Sequence, residues 1–333
     1  MPKSRLIYID IASGIMVMWV MVFHAIYPMF GRDDLKVIPW FYYFMPWFFY
    51  KAGIMFKKKD CKTEWKSSAR KLLFTFAIWS FIGYLAHIGW HLFEGDLTFR
   101  NAIYSPARSL LLTASVPLNG ALWFLPILFL VRGIGNWLLN IRLLWFGCIT
   151  GLSFAIILLF VRMPLLPAYI SGTAWGLFFF ATGYWLRDKE TNIWVAIVAG
   201  IGFIASLFTD IPSVYCGVDN MTLKILWYPA CVCGCVTFDN VCRFLDSAAN
   251  YIKEITHLNL FCISKHVGRN AMNYYAPHKI IFHIGFNIII FYRSEWYDTW
   301  QGLLIVLAAY AIILPYINYI VNQSHATKSV RLC

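Results

Sequence analysis

Stretches of about twenty mostly apolar residues recur from one end of this chain to the other, and that is the length an α-helix needs to cross a bilayer. They fall at approximately 7–29, 36–56, 72–92, 120–138, 143–161, 168–186, 192–209, 224–242, 271–291 and 300–321. Of the 333 residues, 60% are hydrophobic and 13% charged. A soluble domain carries about a quarter charged residues. The apolar excess returns block after block, so the expected fold is all-α. It is a polytopic integral membrane helix bundle of about ten transmembrane helices, and residues 1–333 form one transmembrane domain. Leu6 to Phe30 is too long for the apolar core of a signal peptide and is expected to remain as the first span. The mixed segment 251–270 reads as an interfacial helix leading into the ninth span.

The net charge of +12 would be a nucleic-acid signature if it covered an exposed face. Here the basic residues sit in short loops between apolar spans, which is how orientation in a membrane is encoded. With the N-terminus placed in the cytoplasm, the inner loops hold most of the Lys and Arg: Lys57, Lys58, Lys59, Lys62, Lys66, Arg70 and Lys71 in one of them alone. The outer loops hold few, among them Arg32, Arg100, Arg108 and Arg162. The bias predicts both termini cytoplasmic in a multi-pass protein of the cell inner (plasma) membrane. No nucleic-acid partner is expected; membrane lipid is.

No metal site is expected either. Cys231, Cys233 and Cys235 alternate, and residues two apart on a helix point about 200° apart, so their thiolates cannot converge on one ion. They read as packing residues. Trp40, Tyr42, Tyr43, Trp47 and Trp90 read as interfacial anchors.

Ionisable residues inside a span are costly and therefore functional suspects. The first span carries Asp10 and His24. At 100° per residue, His24 lies about 20° from Ser13 and about 40° from Asp10, with about 16 Å of rise between His24 and Ser13. The three line one stripe, which must face protein or water. Histidine is the side chain suited to take a proton from a hydroxyl near neutral pH, and it can equally be a hydrogen-bonded packing residue. Lys51 and Lys279 also fall within spans; Lys51 lies near a helix end, where lysine snorkels to the headgroups. Asn270, Tyr274 and His278 follow at i, i+4 and i+8 and are expected to share a helix face, lining either a cavity or a hydrogen-bonded seam between helices.

The stretch YIDIASGIMVMWVMVFHA resembles the opening helix of membrane acyltransferase family 3, in which an Asp, a basic residue before Gly, an apolar run and a His follow in order. MPWFFYKAGIMF at 45–56, SARKLLFTFAIW at 68–79, ALWFLPILF at 121–129 and VGRNAMNYYAPH at 267–278 are similar to further segments of that family, in the family's order. The resemblance implies an integral membrane O-acyltransferase that moves acetyl from acetyl-CoA to a hydroxyl of an envelope or capsular polysaccharide sugar. No bound cofactor is implied; acetyl-CoA is the acyl donor, and a glycan or lipid-linked sugar the acceptor. By the same resemblance His24 is the catalytic histidine with Asp10 beside it in the motif. The resemblance matches Trp123 and His278 to family positions, and these with Asn270 and Tyr274 are the expected substrate-binding residues. Ser13 stands where the family has Arg or Lys, and Ala52 where it has Ser. If the absent base holds the donor, another cation must serve; Arg70, Lys71 and Lys51 are the candidates, since coenzyme A carries phosphates. A transporter or flippase for a lipid-linked sugar would share the spans and the polar stripe, and a non-catalytic family member would share the motifs.

Overall fold

The computed structural model describes residues 7–30, 42–147, 149, 152–153, 157, 167–188, 192–211, 221–256, 259–292, 296 and 299–330. Among these nearly all are helical and none lies in a strand; a single isolated bridge joins Val116 to Asn119. The chain begins with helix Ile7–Phe30, then the short Phe44–Ile54. Cys61–Ser68 continues through a π-helical turn at Ala69–Leu73 into Phe74–Glu94. Ser105–Thr113, Phe124–Asn140, Ala168–Leu186, Ile193–Leu207 and Met221–Thr256 follow, and then Cys262–Arg269, Ala271–Tyr275, His278–Tyr292 and Trp300–Val330.

Among the described residues five helices are long and apolar enough to cross a membrane: Ile7–Ile26, Cys61–Glu94, Gly120–Asn140, Thr222–Thr256 and Trp300–Gln323. They coincide with the expected first, third, fourth, eighth and tenth spans. Their outer faces agree with lipid rather than water. Phe74, Phe81, Leu85, Leu92 and Phe93 are each more than half exposed along one helix, and Leu304, Ile312, Tyr316 and Tyr319 along another. Apolar surface that continuous is not left facing water by soluble proteins. The expected span over 143–161 lies mostly outside the described residues.

Several boundaries differ from the sequence expectation, and three bear on the site. The eighth helix does not stop near residue 242 but runs to Thr256. After it, the stretch expected as one interfacial helix holds the separate eight-residue helix Cys262–Arg269. The ninth span, expected as one helix over 271–291, is broken: Ala271–Tyr275 ends, Ala276 and Pro277 form a turn, and a new helix starts at His278. Pro277 explains the break, since its ring clashes with the preceding turn and it has no N–H to give.

The chain divides into two compact units, one of residues 1–36 and 241–333, the other of residues 37–240. In the first unit, helix Ile7–Phe30 packs on Cys262–Arg269 through backbone contact. A Cβ built on Gly14 would fall on the Ser264 carbonyl, and one on Gly268 would fall on the Asp10 carbonyl. Ser264 Oγ donates across the seam to the Ile11 carbonyl at 2.8 Å. Small residues that let backbones touch, with a hydroxyl bonded across, are how helices associate where the hydrophobic effect gives no drive.

The second unit is aromatic. Trp47 is fully buried and its indole N–H donates to Asp239 at 2.7 Å. Phe49 packs edge-on to both Phe124 and Trp175, each with centroids 4.9 Å apart. Edge-to-face pairs of this kind add about 0.5–1.5 kcal/mol beyond the area they bury. Cys231 and Cys235 are buried among these helices. At the base of the long Cys61–Glu94 helix, Arg132 grips Glu64 Oε1 through Nε at 3.0 Å and Nη2 at 2.8 Å. Ser68 donates to the same oxygen at 2.6 Å, and Lys59 Nζ stands 3.1 Å from Oε2. The carboxylate is wholly buried and correspondingly well supplied with partners.

Candidate functional site

His24 and His278, 254 positions apart in sequence, meet in the first unit with His24 Nδ1 and His278 Nε2 separated by 2.8 Å. Their planes lie within 11° and their centroids 5.0 Å apart. That separation is too long for face stacking and fits two rings meeting edge to edge through an in-plane N–H···N bond. His278 is completely buried and His24 partly so.

The protons on the pair can be assigned from one contact. His278 Nδ1 is hydrogen-bonded to the Tyr275 carbonyl, and a carbonyl only accepts, so this nitrogen carries the hydrogen. In neutral His278 the other nitrogen, Nε2, then presents a lone pair. It faces His24 Nδ1, which must therefore be the donor. His24 is left with its own lone pair on Nε2. The relay runs from the Tyr275 carbonyl through His278 to His24, and its outcome is a histidine whose Nε2 is held in the proton-accepting state. The carbonyl that starts it sits directly before the Ala276–Pro277 turn, so the helix break is part of the arrangement.

Tyr310, on the Trp300–Val330 helix, stands beside the pair with its ring centroid 6.5 Å from that of His278. Its hydroxyl is buried and has no hydrogen-bond partner among the described residues. Lys279 and His283 share the helix that His278 opens.

Asp10 is placed elsewhere. Fourteen residues before His24 on the same helix, it is about 21 Å away along the axis, and it pairs with Arg269, Nε to Oδ2 at 3.1 Å. Ser13 is buried and its Oγ donates to the Ile9 carbonyl at 2.5 Å. Close to this end of the helix Arg243 lies on the ring of Tyr8, 3.8 Å from its centroid, and hydrogen-bonds its hydroxyl. Lys265 pairs with Asp246 at 3.1 Å.

Asn270, Tyr274 and His278 do not form one straight row, because the helix is broken between them. Asn270 Oδ1 accepts from Asn322 at 3.4 Å, Tyr274 packs on the His266 ring, and His278 alone meets His24. A polar seam instead centres on Asn318, whose Oδ1 accepts from Asn273 at 2.8 Å and whose Nδ2 lies 3.1 Å from His266 Nε2. Asn273, Asn318, His266, Tyr310 and Arg269 were not among the site residues expected from the sequence. Arg269 follows Gly268 in the quoted VGRN segment, and Asn318 with Asn322 gives an i, i+4 amide pair on an otherwise apolar helix; both are visible signals. Tyr310 gives none.

The remaining expected residues belong to the second unit. Trp123 is half-buried, its ring centroid 6.1 Å from Trp175. Lys51 lies over the Trp47 ring, 5.5 Å from its centroid. Arg70 and Lys71 are exposed on the π-helical turn Ala69–Leu73. Such turns inside helices are frequent at functional sites.

Fold and site together define a helical protein with helices long and apolar enough to cross a membrane, and a hydrogen-bonded pair of histidines, one fully and one partly buried. Comparison with family models, with curated proteins and with solved structures gives no match.

Proposed function

We propose that the chain is an integral membrane O-acyltransferase, with about ten spans and both termini cytoplasmic, that transfers acetyl from acetyl-CoA to a hydroxyl of an envelope polysaccharide sugar. The observation that carries this reading is the tautomer relay, because a histidine fixed with its Nε2 lone pair available is what abstraction of a hydroxyl proton requires. His24 Nε2 takes the proton as the sugar oxygen bonds to the thioester carbonyl carbon. The C–S bond then breaks, and the departing thiolate of coenzyme A recovers the proton from His24. His278 keeps the imidazole oriented throughout, as the third member of nucleophile–base–orienter sets does. Tyr310 is the candidate to donate a hydrogen bond to the carbonyl oxygen as charge develops there. For the donor's phosphates, Arg70 with Lys71 is one candidate set and Arg269 another; Arg269 is half-exposed and paired with Asp10, one turn from Ser13.

The test is to delete the gene, complement it with wild type or His24→Ala, and measure O-acetyl groups on the surface glycans by NMR. Loss of acetyl in the deletion, restored by wild type and not by His24→Ala, is the expected result. Unchanged acetyl content in the deletion overturns the reading. Raising the KM for acetyl-CoA by Arg269→Gln but not by Arg70→Gln, or the reverse, distinguishes the two cation sets.

A further inference from the structure

The apolar helix Phe74–Glu94 ends in the sequence His91-Leu-Phe-Glu94-Gly95-Asp96, and its ending is a specific turn. Gly95 has φ +72°, the left-handed conformation that glycine adopts without the Cβ penalty. The Asp96 N–H then bonds the His91 carbonyl at 3.1 Å and the Gly95 N–H the Leu92 carbonyl at 3.3 Å, the paired bonds of a Schellman ending. Its effect is to bring Asp96 back over the last helical turn. His91 Nδ1 lies 2.8 Å from Asp96 Oδ1 and 4.0 Å from Glu94 Oε2. All three donor atoms lie within 4.8 Å of one another, the one such group of three metal-ligating side chains among the described residues.

The surroundings hold this arrangement. Asn101 Oδ1 accepts from the Thr98 N–H at 2.7 Å and the Thr98 hydroxyl at 3.0 Å, which fixes its amide. Asn101 Nδ2 therefore points at the Asp96 carbonyl, 2.9 Å away, and pins the turn. His87, buried one turn before His91, bonds the Asn101 carbonyl through Nε2 at 2.9 Å and sets its ring at 85° to His91 with centroids 4.5 Å apart. The same Asn101 Nδ2 also lies 3.2 Å from His91 Nδ1. No tautomer of His91 suits both neighbours of that nitrogen: with its proton it faces an amide donor, and without it a carboxylate. A cation on the Nδ1 lone pair draws in both carboxylates and leaves the amide to its carbonyl.

We infer that His91, Glu94 and Asp96 form a binding site for a divalent first-row metal ion, zinc being the best match. One imidazole nitrogen and two carboxylate oxygens are a zinc-type donor set, with water completing the tetrahedron. Ligand bonds of about 2.0–2.1 Å put tetrahedral donor atoms about 3.3 Å apart. The present spacings bracket that value, and the side chains that must adjust, Glu94 and Asp96, are 43% and 54% exposed. The ion would tie the helix end to the segment after it. The proposal is independent of the acyltransfer reading.

The test uses the full chain in detergent, free of any histidine tag, stripped with chelator and equilibrated with zinc chloride at limiting concentration. Protein-bound zinc is counted by mass spectrometry after gel filtration. Wild type is expected to hold about one zinc more per chain than His91→Ala, and Glu94→Gln, which leaves the helix ending intact, to weaken binding at least tenfold. Zinc equal in wild type and both variants, or none in wild type, overturns the proposal. So does a thiolate charge-transfer band on cobalt substitution, which would put the ion on the cysteines.

Discussion

Replacing His278 by Ala removes the acceptor for His24 Nδ1–H and with it the force that selects the tautomer. The lost bond is a partly buried one of 2.8 Å, and leaving such a donor unsatisfied costs about 1–3 kcal/mol. At about 1.4 kcal/mol per decade, transfer should slow by roughly 10- to 100-fold. Loss of the base itself in His24→Ala should cost about 10²- to 10⁴-fold. Because His278 acts only through His24, the double variant should be no slower than His24→Ala, a strongly non-additive result. His278→Gln, whose amide can both accept from His24 and donate toward the Tyr275 carbonyl, should recover part of the rate. The assay is incorporation of label from radioactive acetyl-CoA into the saccharide fraction of membranes, at matched levels of folded protein. Full activity in His278→Ala, or losses that add in the double variant, would refute the relay.

Four further substitutions test single positions. Gly14→Ala pushes a methyl into the Ser264 carbonyl and should destabilise the chain by about 1–3 kcal/mol. Gly200→Ala, where a Cβ meets nothing within 4 Å, should be neutral or gain up to about 1 kcal/mol of helix propensity; thermal unfolding in detergent compares the two. Arg132→Met strips a buried carboxylate of its best partner and should cost about 2–3 kcal/mol in the same assay, with part regained in the double variant Glu64→Gln, Arg132→Met. Tyr310→Phe should leave unfolding unchanged, because the hydroxyl makes no bond to the described protein, yet slow acetyl transfer by about tenfold or more.

Much of the helical framework was legible because length and hydropathy alone decide whether a segment can cross lipid, and the five long helices stand where apolar runs do. The polar stripe of the first helix was legible from the 3.6-residue period. What period cannot reveal is a partner. Nothing near His24 in sequence announces His278, which opens a new helix after the break at Ala276 and Pro277. The i, i+4, i+8 row failed for the same reason, since it assumed an unbroken helix through a proline. Asp10 shares the stripe with His24, but angular agreement hides the 14-residue separation that sends it to Arg269. The metal-type cluster escaped because Asp96 reaches His91 through a left-handed glycine, a geometry outside helical spacing.

The proposed function rests on His24 as the base of an acetyl transfer. Its most direct measurement is label transfer from acetyl-CoA to membrane saccharide by wild type and His24→Ala chains of equal thermal stability. Wild type should transfer label, and the variant should lose at least about a hundredfold. Equal transfer by both would contradict it.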